Sequence, residues 1–221
     1  MLSRCVVSFG LCVGGFAPRH LNRSTFSLLY YDNLFMQKLQ NNTALIIVDV
    51  QKGFDNPKWG KRNNLQAEQN IERLLKAWRG SERPVFHIQH LSTSSDSVLN
   101  ANSPGSEIKD NVKPRNGEPI VQKHVNSAFI GTNLEQLLRD KQIETLVITG
   151  LTTPHCVSTT TRMAGNFGFD TYLVSDATAA FEIVGHNGKH YSAEEIHETA
   201  LATLHGEFAT IVETETILKN L

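Results

Sequence analysis

The chain has 221 residues and a formal net charge of -1, with 21 Lys and Arg against 22 Asp and Glu. Acid and base nearly cancel and no Lys/Arg-rich run occurs, which excludes the basic footprint of a nucleic-acid binder. No apolar stretch approaches the roughly 18 residues of a membrane span, and the length suits one domain with a sizeable buried core.

Residues 1–35 differ from the rest, because the first acidic residue is Asp32 while Arg4, Arg19 and Arg23 are basic and Ser recurs. Three readings of this leader compete. Arg4 followed by the apolar run Cys5–Ala17 has the layout of a secretory signal. The Arg- and Ser-containing, acid-poor composition also fits a mitochondrial presequence. Met36 can instead be the start of a cytoplasmic protein with a miscalled upstream extension. The secretory reading ranks first, with residues 36–221 as the functional domain. Two of the three cysteines, Cys5 and Cys12, lie in the leader, so without it Cys156 stands alone. A lone cysteine is either a small buried hydrophobe or a nucleophile.

From Thr43 onward strands alternate with amphipathic helices. Ala44–Val48 is a short β-branched run ending at Asp49, a strand buried on both faces. Ile71, Leu74, Leu75 and Trp78 recur at helical spacing up to Gly80. Pro84–Gln89 is a second strand, and residues 91–119, rich in Ser, Asn, Pro and Gly, form a long loop of the kind that usually carries function. Ile120–Gln122 leads to Lys123. Thr132 with Glu135 has the spacing of a capping box opening a helix through Leu138. The strand Leu146–Thr149 ends at Gly150, a helix spans about Pro154–Asn166, and the strand Thr171–Val174 precedes Asp176. Ser192 with Glu195 opens a helix through Leu204, and Phe208–Val212 is the last strand. This alternation predicts an α/β fold with a parallel sheet covered on both faces.

In such a sheet, ligands bind beyond the carboxyl ends of the strands. That rule singles out Asp49, His90, Lys123, the Gly150–Cys156 turn and Asp176. With Thr153 as N-cap and Pro154 at the first helical position, Cys156 falls at the third. There the helix dipole lowers a thiol's pKa, and free N–H groups can hold an oxyanion. Asp49 can take the thiol proton and Lys123 can hold the ion pair. His155 points about 100° away from Cys156 on a helix, which suits the pocket wall better than a base. His87 and His90 raise a metal question, but the nearby ligand spacing is irregular, so no metal is expected. No Gly-rich phosphate loop is present, and no cofactor is expected.

The segments ALIIVDVQKGF carrying Asp49, VQKHVNSAF carrying Lys123 and GLTTPHCVSTTTRMAGNFGFDTYLVSDATAAF carrying Cys156 resemble the signature blocks of isochorismatase-like cysteine hydrolases. The resemblance runs in order from about Thr43 to Val212. It implies a three-layer α/β/α domain with a six-stranded parallel sheet, a homo-oligomer, and an Asp49–Lys123–Cys156 triad. It also implies a non-proline cis peptide at Leu151–Thr152, with the Thr152 and Cys156 N–H groups as the oxyanion hole. Phe54, His90, Phe129 and His155 are the candidate substrate-pocket residues. Nicotinamidases of the family carry an Asp-x-His metal pair where this chain reads Gln89-His90-Leu91-Ser92, which disfavours nicotinamidase.

The expected partner is a small-molecule substrate. The leading reading is hydrolysis of isochorismate to pyruvate and 2,3-dihydro-2,3-dihydroxybenzoate by a secreted effector, since the domain also resembles secreted isochorismatase effectors. The alternatives are a C–N amidohydrolase working through a Cys156 thioester, and a catalytically idle binding module.

Overall fold

The computed structural model describes Met36 and residues 38–221 of the chain. The readings of the 1–35 leader lie outside the described residues. Among those described, no helix is long and apolar enough to cross a membrane.

The sheet is built from β1 (Ala44–Val48), β2 (Val85–His90), β3 (Ile120–Lys123), β4 (Thr145–Leu151), β5 (Asp170–Ala179) and β8 (Thr210–Val212). It is ordered β3-β2-β1-β4-β5-β8 with every neighbouring pair parallel. The helices are α1 (Ala67–Gly80), α2 (Leu134–Asp140), α3 (Ser158–Asn166), α4 (Ala193–Ala202) and α5 (Thr214–Lys219). A small antiparallel hairpin, β6 (Ile183–Val184) with β7 (His190–Tyr191), follows β5.

The alternation of side chains along a strand explains why β1 is apolar throughout. Ala44, Ile46 and Val48 pack in one layer with Leu134, Leu138, Ala164 and Leu201. Leu45 and Ile47 pack in the other with Ile71, Leu74, Leu75, Trp78 and Ile217. Each large aliphatic side chain buried this way contributes roughly 1.5–3 kcal/mol. Three layers follow: α1 and α5 on one face of the sheet, and α2, α3 and α4 on the other.

Three local expectations are corrected. Thr132 is not the N-cap of α2, a position held by Asn133, whose own side chain makes no cap bond. The Thr132 hydroxyl donates to Ala128 O and accepts from the N–H of Leu134, the first helical residue, but the box does not close, because Glu135 faces Arg139 one turn on. Asp176 does not end its strand, because β5 continues to Ala179 through a register shift against β4. Its carboxylate accepts from the Thr214 N–H and hydroxyl and from Asn70, anchoring the start of α5 well away from strand-end chemistry. Thr153 is not the N-cap of the helix after β4. That role falls to Thr152, and the first turn, Thr153–Val157, is a wide π-type turn leading into α3. The Ser192–Glu195 capping box is present as expected.

The strand order reverses between β1 and β4, and this switch point opens a crevice at their carboxyl ends. Gly150 makes the crossing close. A Cβ there would lie 2.0 Å from Val48 O, and its φ of +124° suits only glycine.

Candidate active site

Asp49 directly follows β1 with a left-handed φ of 51°, an uncommon conformation for a residue with a side chain. Its carboxylate is fully buried and bonds through Oδ2 to Lys123 Nζ at 2.7 Å. Lys123 ends β3 and is buried as well, so two strands on opposite sides of β2 each deliver one charge to a single dry pair. Burial pushes the Asp49 carboxyl above the usual carboxylate range, and the Lys123 charge opposes that push. Asp49 Oδ1 is buried and has no hydrogen-bond partner.

Cys156 lies in the Thr153–Val157 turn, buried, with Sγ 3.9 Å from His90 Nδ1 and 3.8 Å from Asn126 Oδ1. Its thiol is not the low-pKa group expected from the helix terminus. Burial first, and the nearby Asp49 charge second, push it up to about 12. The reason is magnitude: raising a thiol from 9.0 to about 12 disfavours the thiolate by about 4 kcal/mol. A helix dipole returns only about 1 kcal/mol. Cys156 is therefore a thiol at rest, and any attack by it requires loss of that proton.

The Leu151–Thr152 peptide is cis, as the resemblance implies. The Thr152 N–H makes no hydrogen bond and the Cys156 N–H makes none outside its own turn. Both residues line a cavity of about 540 Å³. Phe54, His90 and His155 also line it. Phe129 does not. It packs in the core against Phe167 and Phe169, at ring-centroid distances of 5.3 and 6.2 Å.

Other lining residues carried no local sequence signal. Trp59 and Phe181 form an aromatic wall with Phe54, at centroid distances of 5.3 to 6.3 Å. Lys58, Glu182, Ile183 and Val184 stand on the same cavity, and the long 91–119 loop supplies Ser92, Ser97 and Leu99. Buried Gln51 holds that loop, donating to Ser106 O and to His90 O and accepting from the His90 N–H. Asn126 had a sequence signal, since it lies three residues beyond Lys123 in the second block.

Asp49, His90 and Cys156 bring potential ligand atoms within 4.8 Å of one another, a spacing compatible with three ligands of a divalent ion. Lys123, however, donates from within this cluster, to Asp49 at 2.7 Å and to His90 Nδ1 at 2.9 Å. An ammonium group bound to two of the three atoms repels a cation, so the cluster fits proton transfer better than metal binding.

Residues 43–216 match the family described as the isochorismatase domain. The isochorismatase family protein YrdC of Bacillus subtilis is 55% identical over 182 residues, covering 82% of this chain and 97% of that protein. The secreted isochorismatase effector Isc1 of Verticillium dahliae is 29% identical over 177 residues, covering 80% and 90%. The N-carbamoylsarcosine amidase of an Arthrobacter species is 32% identical over 117 residues, covering 45% and 44%. The solved structure of an isochorismatase-family hydrolase from Chromobacterium violaceum superimposes with a TM-score of 0.81 at 39% identity, covering 84% and 96%.

Proposed function

The chain belongs to the isochorismatase family and is a hydrolase, and from that premise we propose that it cleaves C–N bonds of small uncharged amides or ureides through Cys156. The observation that carries this reading is the charge of the cavity. Its wall mixes aromatic and aliphatic side chains with polar ones and carries one lysine, Lys58, whose Nζ lies 5.3 Å from the Trp59 ring centroid. Glu182 is bonded to His190 and the Lys61 N–H. The charge of Lys123 is already committed to Asp49. Isochorismate carries two carboxylates, and a site built for it needs unpaired cations, usually arginines. The amidase likeness supports the same reading.

In this mechanism Cys156 Sγ attacks the carbonyl carbon while the thiol proton passes to Asp49, whose Oδ1 has no other partner. The Thr152 and Cys156 N–H groups receive the oxyanion. Asp49 then gives the proton to the departing nitrogen, the C–N bond breaks, and a thioester remains. Water attacks the thioester with Asp49 as base, the C–S bond breaks, and the acid and the thiol are released.

Isochorismate cleavage is the second reading, favoured by the likeness to the effector Isc1. There Asp49, raised by burial, protonates the vinyl ether as the general acid. Secretion through the leader and assembly into a homo-oligomer belong to this set of proposals. N-terminal sequencing of the mature protein and light scattering test them respectively.

Hydrolysis assays on purified protein with isochorismate and a panel of small amides and ureides separate the two activities. Under the amidase reading, Cys156→Ala abolishes turnover of amides. Full amide turnover by that variant, or turnover of isochorismate alone by the wild type, overturns the reading.

A further inference from the structure

Lys123 has three N–H bonds and no acceptor. All three are used, on Asp49 Oδ2 at 2.7 Å, His90 Nδ1 at 2.9 Å and Val125 O at 3.2 Å. His90 Nδ1 therefore accepts, and the ring carries its proton on Nε2. Burial, then the Lys123 charge, then His124, hold the imidazole down to about 4, so the ring is neutral at physiological pH. Lys123 holds the ring at Nδ1, and buried Gln51 holds the backbone that carries it, donating to His90 O and accepting from the His90 N–H.

The other ring nitrogen has no partner among the described residues, and the residue lines the cavity beside the nucleophile, with Cys156 Sγ 3.9 Å from Nδ1. A fixed donor without a protein partner is satisfied by water until a substrate expels that water. A substrate lacking an acceptor at that point leaves the donor unpaired, which costs binding.

We propose that His90, through its Nε2–H, selects acyl groups that carry a hydrogen-bond acceptor close to the scissile carbonyl. The inference rests on the amide reading above for what is cleaved, and deepens it by naming what the acyl group carries. His90 is then a recognition residue and not a base, because its only basic nitrogen is bonded to Lys123.

Benzamide and picolinamide test this, since they share a shape and differ by one ring nitrogen, ortho to the carboxamide. Their affinities are measured by calorimetry on Cys156→Ala, where no chemistry interferes. Picolinamide binds about tenfold more tightly, the value of one buried hydrogen bond. The ratio falls to about one when His90→Phe is added, and His90→Gln, which presents an amide N–H near the Nε2 position, restores part of it. Nitrogen-15 NMR of the wild type shows His90 protonated on Nε2 alone at neutral pH. Equal affinities, binding of neither amide, or a proton on Nδ1 overturn the inference. A preserved affinity ratio without hydrolysis by the wild type overturns the amidase reading instead.

Discussion

Replacing Lys123 by Met keeps most of the side-chain volume and removes the ammonium. The Asp49–Lys123 separation is 2.7 Å and both side chains are 0% exposed. At an effective dielectric of about 20, a pair this close attracts by about 6 kcal/mol, much of it offset by the cost of burying both ions. Removing one partner loses the attraction while the burial cost of the other stays. Lys123→Met therefore destabilises the domain by about 3–5 kcal/mol, read from urea denaturation at pH 7. Asp49 escapes part of this by taking up a proton, and a protonated Asp49 cannot accept the thiol proton, so turnover falls by about 10³. The double variant Asp49→Asn/Lys123→Met buries no charge. It recovers at least about 2 kcal/mol relative to the sum of the single variants, while staying inactive. A Lys123→Met loss under about 1 kcal/mol, with additive single and double variants, refutes the description of a dry, charged pair.

Gly150→Ala places a Cβ 2.0 Å from Val48 O at a φ of +124°, so the variant loses more than about 4 kcal/mol or fails to accumulate as soluble protein. Burial works to raise Glu68 and Glu118, but Arg62 and Lys109 for the first, and Arg79, the Arg115 N–H and His87 for the second, hold both at about 2. Depressed carboxylates stabilise the fold fully above their ordinary value of 4.5 and lose that contribution as pH falls toward about 2. Urea midpoints drop across this window, and the drop is shallower in Glu68→Gln/Glu118→Gln; an unchanged slope assigns the acid sensitivity elsewhere. His197→Leu leaves the buried Thr153 hydroxyl, now 2.9 Å from His197 Nδ1, without a partner. Thermal denaturation reads a loss of about 2 kcal/mol, and an unshifted transition excludes a stabilising role for His197 behind the Thr153–Val157 turn.

Local order was legible in the sequence wherever one element buries itself against a large neighbour. The apolar run Ala44–Val48 and the Ile71–Leu74–Leu75–Trp78 stripe identify β1 and α1, because a two-faced strand and a one-sided helix impose different periods. The Ser192–Glu195 box marks the start of α4, and the three ordered blocks carry the family. The same rules failed where a distant contact outbid a local one. Thr153 bonds to His197 and Asp176 to the start of α5, each in place of the role that its neighbours in sequence suggest, and Glu135 faces Arg139 in place of closing a box with Thr132.

The site itself is a product of tertiary structure. Asp49 and Lys123 are 74 residues apart and meet only because β1 and β3 flank β2, while Cys156 arrives from β4 on the other side of the switch point. Periodicity and capping report on a few neighbouring residues, so they locate candidate groups and say nothing of their solvation. Burial makes Cys156 a resting thiol, fixes the proton of His90 through Lys123, draws Phe129 into the core and brings Trp59 and Phe181 to the cavity. Each of these depends on which surfaces lose water when the layers close.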